Sequence, residues 1–353
     1  MSAFDVSVVI PLYNKEAFVR DMLASVLAQS LPAAEIIIVD DSSTDGSVAK
    51  IADLIGGQVR LLSQPNAGPG PARNRGIAEA SSEWIAFIDA DDQWQPNHLA
   101  TLAEVAAQCP DSAVVAARHQ RMTATDPVPA PDNSPVAARR IDFFRDAQRG
   151  EILSSTSVAV RRAALTEAGG FGAFYPGEDF ELWTRLALDH VIAVSERFTA
   201  LYLQQTGGLM ERHEARTTAS DDRQPVFATL ARAIADPRHA AKRPALKQYR
   251  AYLLRQNIRQ AIYRAAPRDA RRFAAELRAH GGDGIGWLAL LMWLPAPLLR
   301  LGRVARNAFR RRLRGKPGGW KGRCMALTPA GVNRMLTSVR LHAARNRPTV
   351  TIP

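Results

Sequence analysis

The fold is decided by residues 6–47, VSVVIPLYNKEAFVRDMLASVLAQSLPAAEIIIVDDSSTDGS. Two apolar runs, 6–12 and 35–41, are rich in β-branched residues, which is typical of strands buried on both faces of a largely parallel sheet. Apolar residues at helical spacing lie between the runs: Phe18, Met22, Val26 and Leu27. The stretch therefore predicts a strand, a helix and a second parallel strand.

The same alternation continues along the chain. VRLLS at 59–63 predicts a third strand, QPNAGPGPARNRG a rigid turn into a helix near 72–80, and EWIAFID a fourth strand at 83–89. The polar segment DDSSTDGS, residues 40–47, suits a tight loop and an N-cap for a helix that begins near Ser47. The pattern indicates an α/β fold, in which ligands bind at the carboxyl ends of the strands.

Residues 85–96, IAFIDADDQWQP, end an apolar run in three carboxylates within four positions: Asp89, Asp91 and Asp92. Like charges this close repel one another unless a cation or a set of hydrogen-bond donors holds them. Mg²⁺ and Mn²⁺ prefer carboxylate oxygens and commonly keep positions open for phosphates. The stretch therefore predicts a hard-cation site, with a solvated acidic turn as the alternative.

A further pair of carboxylates stands in GEDFELWTRL, residues 177–186, where Gly177 precedes a predicted helix. The apolar residues that would face the core recur every three positions: Phe180, Trp183 and Leu186. Glu178 and Asp179 then lie in the first helical turn, where the helix dipole favours anions. The local pattern leaves both a favourable charge and a chemical role open for them.

Charge divides the chain into two parts. Residues 1–220 carry 18 Lys and Arg against 28 Asp and Glu, whereas residues 221–353 carry 28 against 6. The two cysteines, Cys109 and Cys324, form no CxxC pair, so neither a disulfide framework nor a thiolate zinc site is expected. A reducing, cytoplasmic setting fits this usage, and the absence of a basic segment around Asp5 predicts no secretory signal.

The basic part contains an uncharged segment, GIGWLALLMWLPAPLL, at residues 284–299. As a helix it would span ~24 Å, short of the roughly 30 Å hydrocarbon core, so a full membrane span is not expected. The neighbouring RVARNAFRRRLRGK, residues 303–316, with Trp287, Trp293 and Trp320 nearby, suits a segment lying in the plane of an anionic lipid surface.

Two other interpretations of this region stay open. One is a buried helix followed by a solvated basic tail. The other is an Arg-rich segment that binds nucleic acid through its phosphates, although no recognised nucleic-acid motif accompanies it. Nucleic acid is therefore not the expected partner.

Taken in order, these motifs resemble those of glycosyltransferase family 2 proteins of GT-A fold. The resemblance rests on VSVVIPLYNKEAFVRDMLASVLAQS, EIIIVDDSSTDGS, NAGPGPARNRGIAEASSEWIAFIDADD and GEDFELWTRL. It covers about residues 5–215. It implies a GT-A catalytic domain with a mixed, Rossmann-like sheet at 1–215, followed by a helical, basic and membrane-associating region at 216–353.

The resemblance also implies a nucleotide pocket. Pro11 and Tyr13 would line it, with the Tyr ring against the base, and Asp41 would accept a hydrogen bond from the base edge. Arg73 could reach the diphosphate as a charge-assisted donor. A salt bridge from Arg73 to the surrounding acids is the alternative.

For the chemistry, the resemblance implies that Asp89 and Asp91 hold Mg²⁺ or Mn²⁺, with Asp89 also near the ribose. The metal would neutralise the leaving nucleoside diphosphate. Asp179 would be the base that takes the proton of the acceptor hydroxyl, and Glu178 would support it or bind acceptor. Asp92 is favoured as a structural residue, with a contact to acceptor or sugar as the alternative.

The function implied is metal-assisted, inverting transfer of a sugar from a nucleotide sugar, with a UDP-sugar favoured, to a lipid-linked or cell-surface glycan. LYLQQTGGLMERH at 201–213 lacks the RW of processive synthases, so a single addition is expected. The expected location is the cytoplasmic face of the inner membrane, by peripheral contact. A nucleotidyltransferase of similar fold and a noncatalytic binder of polyanions are the alternatives.

Overall fold

The computed structural model describes residues 4–282, apart from 124, 151, 205 and 207–223, together with 286, 288–296 and 298–299. The chain divides into two compact units near Arg250. The first contains the sheet and the helices around it, and the second is helical. The domain boundary predicted at residue 215 lies outside the described residues.

Within the described residues, nine strands form one mixed sheet. They are β1 (Val6–Leu12), β2 (Glu35–Asp40), β3 (Val59–Ser63), β4 (Trp84–Phe87), β5 (Gln93–Trp94), β6 (Ser112–Thr123), β7 (Ala138–Ile141), β8 (Val158–Arg161) and β9 (Val191–Gln204). Their order is β3-β2-β1-β4-β8-β6-β9-β5, and β7 pairs with β9. The first four strands are mutually parallel, whereas β8 runs antiparallel to β4 and β6.

The parallel half of the sheet confirms the sequence prediction. β1 and β3 have the predicted bounds, β2 ends one residue earlier, and β4 is shorter than EWIAFID. Consecutive residues Val8 and Val9 are both fully buried, as are Ile36 and Ile37. Because successive side chains of a strand point to opposite faces, both faces of the sheet are covered at β1 and β2.

The α-helices of the described residues are α1 (Val19–Leu27), α2 (Ser47–Lys50), α3 (Pro69–Glu79), α4 (His98–Gln108), α5 (Phe143–Asp146), α6 (Arg162–Ala168), α7 (Glu178–Asp189), α8 (Gln224–Ala235), α9 (Arg243–Tyr263), α10 (Pro267–Ala279) and α11 (Leu288–Leu291). A 3-10 turn at Ser155–Ser157 leads into β8. α8 and the start of α9 belong to the first unit, where Thr229 of α8 donates a 2.7 Å hydrogen bond to Glu181 of α7.

Helix α1 differs in part from the prediction. Met22 and Val26 are buried, but Phe18 precedes the helix and is partly exposed, and Leu27 is 37% exposed. Leu27 lies about 100° around the helix axis from Val26, so the two cannot share the centre of one face.

Helix α2 is only four residues long, and its N-cap is Gly46, which offers no side-chain cap. The Asp45 carboxylate accepts a 3.0 Å hydrogen bond from the Ser47 amide instead.

Helix α3 begins at Pro69, three residues before the predicted start. A Cβ at Gly76 would lie 2.3 Å from Val9 Cγ1, and a Cβ at Gly70 would lie 2.4 Å from the carbonyl oxygen of Gly172. Glycine at these two positions therefore allows the helix to lie directly on β1 and on the loop before α7. Arg73, one turn into the helix, is buried by this close approach.

The second unit consists of the later part of α9 with α10 and α11. Its buried apolar residues include Leu254, Ile258, Phe273 and Leu277. None of its described helices, nor any in the first unit, combines the length and apolar character needed to cross a membrane. Helix α11 covers only Leu288–Leu291 of the uncharged segment.

Among its described residues, the uncharged segment exposes three large apolar side chains: Leu290, Trp293 and Leu298. The Arg271 guanidinium lies 5.2 Å from the centre of the Trp293 ring and donates to the carbonyl of Met292. The basic residues 303–316, with Trp287 and Trp320, lie outside the described residues.

Candidate active site

The loops that follow β1 and β2 are joined at the carboxyl edge of the sheet. The Asn14 amide donates to Ser43 Oγ at 3.1 Å, and the Asn14 side-chain oxygen accepts from the Thr44 amide at 2.8 Å. Pro11 and Tyr13 belong to the first of these loops or to the strand end before it, and both are partly exposed. Their predicted contact with a nucleotide base stays a prediction, but the edge that carries them is the one where parallel α/β sheets bind ligands.

Asp41 is held by donors from the segment that leads into α3. Its carboxylate accepts hydrogen bonds from the Ala67 amide (2.9 Å), the Gly68 amide (2.8 Å) and the Gln64 side chain (2.8 Å). Gly68 has a φ of 95°, a conformation that favours glycine. The carboxylate is buried, and donors among the described residues fill three of its roughly four acceptor positions. Its contact with a base edge stays a prediction.

Asp89 and Asp91 follow β4, and each already contacts a positive side chain. Asp89 Oδ1 accepts from Arg73 Nη2 at 2.6 Å. Asp91 Oδ2 forms an ion pair with Lys15 Nζ and accepts a 2.6 Å hydrogen bond from Thr206 Oγ1. Both carboxylates keep some exposure to solvent, 33% for Asp89 and 16% for Asp91.

Asp92 differs from Asp89 and Asp91 because its side chain is buried. Its oxygens accept from the Leu203 amide at 2.9 Å and from the Thr156 hydroxyl. Burial raises the pKa of this carboxyl well above its ordinary value, and the nearby charges of Asp91 and Asp89 act in the same direction. These contacts agree with the structural role that the sequence favours for Asp92.

Arg73 connects the end of β4 to the first turn of α7. Its Nη1 donates to Glu178 Oε1 at 2.9 Å, while its Nη2 donates to Asp89. The guanidinium also lies 5.1 Å from the centre of the Phe171 ring. Of the two sequence alternatives, the salt bridge to surrounding acids is present, and contact with a diphosphate stays a prediction.

Glu178 and Asp179 occupy the first turn of α7, as predicted, after Gly177 in the left-handed conformation. Glu178 is buried, and burial raises its pKa to about 7 although the charge of Arg73 opposes the rise. Asp179 is partly exposed, and its Oδ1 accepts from the Phe180 amide at 2.6 Å. In the core face of α7, Trp183 is buried as predicted, as is Leu186, while Phe180 is only partly buried.

The 3-10 turn before β8 supports both groups of carboxylates. Ser155 Oγ lies 3.5 Å from Asp179 Oδ2. The hydroxyl of the next residue, Thr156, donates to Asp92 and accepts from the Asp89 amide at 3.4 Å. Two neighbouring residues therefore contact the strand-end carboxylates and the helix-turn carboxylate.

Two tyrosines stand among these acids. The pKa of the Tyr175 phenol is raised by burial and by the charges of Glu178 and Asp89. The pKa of the Tyr202 phenol is raised by burial and by the charges of Asp92 and Asp89. Both phenols therefore stay neutral and border the carboxylate-lined region.

The donor set fits a hard divalent cation. Asp89 and Asp91 offer carboxylate oxygens that are partly exposed, and the Lys15 ammonium already places a positive charge against Asp91. Within the described ranges, no group of three or more His, Cys, Asp or Glu side chains is placed so that it could hold a metal ion. Mg²⁺ is commonly held by only one or two carboxylates and completes its shell with phosphate oxygens and water.

The specific partners of two charged residues in this region went unpredicted. Lys15 stands two positions after Tyr13 in the first loop, and a cation opposite an acidic strand end is the signal that could have drawn attention to it. The pairing of Arg73 with Glu178 joins residues 105 positions apart, for which the sequence offers no local signal.

The family model for glycosyl transferase family 2 matches residues 7–169. An uncharacterised glycosyltransferase of Escherichia coli, YibD, is 46% identical over 104 residues, covering 29% of this chain and 30% of that protein. The succinoglycan biosynthesis protein ExoW of Rhizobium meliloti is 41% identical over 99 residues, covering 26% and 31%. The matches thus span about a third of the length of these relatives.

Solved structures show the same fold. Staphylococcus aureus TarS 1-349, in complex with UDP-GlcNAc, aligns with a TM-score of 0.55 at 18% identity, over 79% of this chain and 92% of that one. The Pyrobaculum calidifontis mannosyltransferase PcManGT, in complex with GDP-Man and Mn²⁺, gives 0.52 at 21% identity over 97% and 88%. The family match thus assigns residues 7–169 to glycosyl transferase family 2, and the structural likenesses, with the mixed sheet, show a fold of GT-A type.

Proposed function

We propose that this protein is an inverting, single-addition glycosyltransferase that uses a nucleotide sugar in cell-envelope polysaccharide synthesis. The observation that carries the proposal is the Arg73 bridge, which holds the strand-end carboxylate Asp89 and the helix-turn carboxylate Glu178 on one guanidinium. A donor diphosphate bound at Asp89 and an acceptor hydroxyl beside Asp179 would then lie next to each other.

The donor side consists of the loops after β1, β2 and β4. Pro11 and Tyr13 would line the base, and Asp41, fixed by three donors, would use its remaining acceptor position for the base edge. A divalent cation on Asp89 and Asp91 would supply positive charge to the leaving diphosphate. The UDP-GlcNAc complex of TarS and the GDP-Man and Mn²⁺ complex of PcManGT support a nucleotide sugar and Mn²⁺ or Mg²⁺, with a UDP-sugar favoured here.

The acceptor side is the first turn of α7. Asp179 is partly exposed, and the Phe180 amide and the helix dipole stabilise its anionic form. An ionised carboxylate in this position can accept the proton of an attacking hydroxyl. The bridge to Arg73 holds Glu178 in the same turn, so Glu178 would orient the backbone that carries Asp179.

The acceptor is proposed to be a lipid-linked or cell-surface glycan, because ExoW takes part in succinoglycan biosynthesis. The second unit supports this choice: Leu290, Trp293 and Leu298 are exposed beside an Arg-rich sequence. Aromatic and aliphatic side chains next to cations suit peripheral contact with anionic lipid. The proposed location is the cytoplasmic face of the inner membrane.

The first experiment incubates the full chain with a panel of UDP-, GDP- and dTDP-sugars and Mn²⁺ or Mg²⁺, and measures released nucleoside diphosphate. We expect release with one donor, and we expect Asp91→Ala and Asp179→Asn to abolish it. Asp189→Asn, an exposed carboxylate at the end of the same helix, is the control. Release of pyrophosphate from a nucleoside triphosphate would instead identify a nucleotidyltransferase.

The membrane contact is tested by co-sedimentation with vesicles of phosphatidylglycerol or of phosphatidylcholine. We expect the full chain to bind the anionic vesicles, and the double variant Leu290→Ser and Trp293→Ser to bind them more weakly. Val128→Ser, an exposed apolar residue of the first unit, is the matched control. Equal binding by the double variant would contradict the assignment, and copurifying RNA lost on deletion of 303–316 would favour the polyanion alternative.

A further inference from the structure

The Lys15 ammonium lies against Asp91, the carboxylate assigned to the metal. Lys15 Nζ contacts Asp91 Oδ2 and lies 3.5 Å from Thr206 Oγ1, which donates to the same oxygen. Both partners are largely covered, with side-chain exposures of 15% and 16%. The contact is therefore a partly desolvated ion pair, which water screens less than a surface pair.

The backbone around Lys15 is held by the loop after β2. The Lys15 amide donates to Ser47 Oγ at 2.7 Å, and the Glu16 amide donates to Asp45 Oδ2 at 3.1 Å. On the other side, the Asn14 amide donates to Ser43 Oγ. These bonds fix the main chain and leave the four-carbon side chain as the adjustable part.

A divalent cation and the Lys15 ammonium compete for one carboxylate oxygen. If the cation takes Asp91, the ammonium loses its partner in a region that is poorly hydrated, and it needs another anion within reach of its stem. The diphosphate of a nucleotide sugar is such an anion, because it binds to the same cation and offers further oxygens.

We propose that Lys15 is a donor-binding residue that holds Asp91 in the empty protein and transfers to the donor diphosphate when a divalent cation takes Asp91. This inference rests on the proposed function. It assigns Lys15 two opposite effects: the residue weakens binding of the cation alone and strengthens binding of the nucleotide once the cation is bound.

The experiment measures both effects on the full chain with Lys15→Met. Binding of Mn²⁺ without nucleotide is followed by electron paramagnetic resonance of free Mn²⁺, and binding of UDP and GDP at saturating Mn²⁺ by calorimetry. We expect Lys15→Met to bind Mn²⁺ about tenfold more tightly and the preferred nucleotide about tenfold more weakly. Lys50→Met removes the same charge from an exposed site on α2 and should change neither constant.

Opposite signs separate this role from a loss of folding, which would weaken both ligands together. A second variant provides an independent measurement: Asp91→Asn should bind UDP or GDP more tightly without metal because Lys15 is released. Adding Lys15→Met to Asp91→Asn should remove that gain.

Unchanged constants in Lys15→Met, or a gain that persists in the double variant, would overturn the assignment of Lys15 while leaving the transferase proposal intact. A wild-type protein that binds neither nucleotide, with or without Mn²⁺, would overturn both.

Discussion

The two groups of carboxylates that Arg73 connects differ in their exposure to solvent and in how their oxygens are hydrogen-bonded. At the end of β4, Asp89 and Asp91 are partly exposed and each is paired with a protein cation. In the first turn of α7, Glu178 is buried and its Oε2 has no hydrogen-bond partner among the described residues. Ion pairs near solvent can exchange one cation for another at modest cost, whereas a buried charge without its partner is strongly unfavourable.

The difference indicates which side of the site adapts and which side is rigid. On the proposed function, the strand-end carboxylates would release Lys15 and accept a divalent cation. The helix turn, fixed by the buried pair of Arg73 and Glu178, would keep Asp179 in one position for the acceptor. Substitutions on the two sides should therefore affect different measured quantities.

The largest effect is expected from Asp179→Asn. The amide keeps the shape of the side chain but cannot accept a proton, so kcat should fall by about three to four orders of magnitude. Nucleotide affinity should stay within about twofold of the wild type, since the residue belongs to the acceptor side. Steady-state release of nucleoside diphosphate measures kcat, and calorimetry with the same nucleotide measures its affinity. A fall in nucleotide affinity that matches the fall in kcat would contradict the assignment of Asp179 to the acceptor side.

Arg73→Met should produce the next largest effect, on stability. It removes the buried cation that Asp89 and Glu178 share, which should lower the free energy of unfolding by about 3–5 kcal/mol. Arg75→Met, an exposed position on the same helix, should stay within about 0.5 kcal/mol. Urea unfolding at pH 7.5 measures both. Equal losses in the two variants would show that the bridge does not stabilise the helix turn.

Glu178→Gln should change how stability depends on pH. The folded-state pKa of about 7 lies above the ordinary 4.5, so the folded protein binds this proton more tightly than the unfolded chain does. The stabilisation is complete below pH 4.5 and is lost as the pH rises to about 7. The free energy of unfolding of the wild type relative to Glu178→Gln should therefore fall across this window, by up to ~3 kcal/mol.

Urea unfolding at half-unit steps between pH 4.5 and 8 measures this difference. A relative stability that rises with pH over the window would mean that Arg73 outweighs burial, and that the helix turn is held as an ordinary ion pair.

The smallest effect is expected from Asp91→Asn with metal present. Loss of one of two carboxylate ligands should weaken binding of the preferred nucleotide in Mn²⁺ by about tenfold, or ~1.4 kcal/mol. The unfolding midpoint should move less than in Arg73→Met, because Lys15 and Asp91 are less completely buried than Arg73 and Glu178. Asp111→Asn, an exposed carboxylate paired with Arg140, is the matched control for calorimetry. An unchanged affinity in Mn²⁺ would remove Asp91 from the metal site.

Much of the framework of this site could be predicted from sequence. The β-branched run at 6–12 gave a strand with those bounds, because apolar side chains on both faces of a strand demand a covered parallel sheet. VRLLS at 59–63 also gave a strand with the predicted bounds, although only Val59 is buried there. Asp89, Asp91 and Asp92 lie directly after β4, as the strand prediction implies. Gly177 and the two acids after it began α7, as first-turn charge preferences predict.

The pairing of the charges could not be predicted in this way. Lys15 and Asp91 lie 76 positions apart, and their contact depends on how the first loop is tied to Ser43 and Ser47. Neither the spacing nor the composition of the two segments encodes that distance. Leu27 was misplaced for a related reason: helical spacing gives the face of a residue only roughly, and packing decides which edge is covered.

The sequence by itself determined the α/β class, the order of strand and helix through residue 89, and the carboxylates at a strand end, since these follow from local periodicity and side-chain chemistry. Only the tertiary structure decided that Asp92 is buried beneath Thr156 while Asp91 faces Lys15. It also decided that Arg73 joins Asp89 to Glu178. Burial and ion pairing are properties of packed elements, and adjacent residues with the same side chain can differ in both.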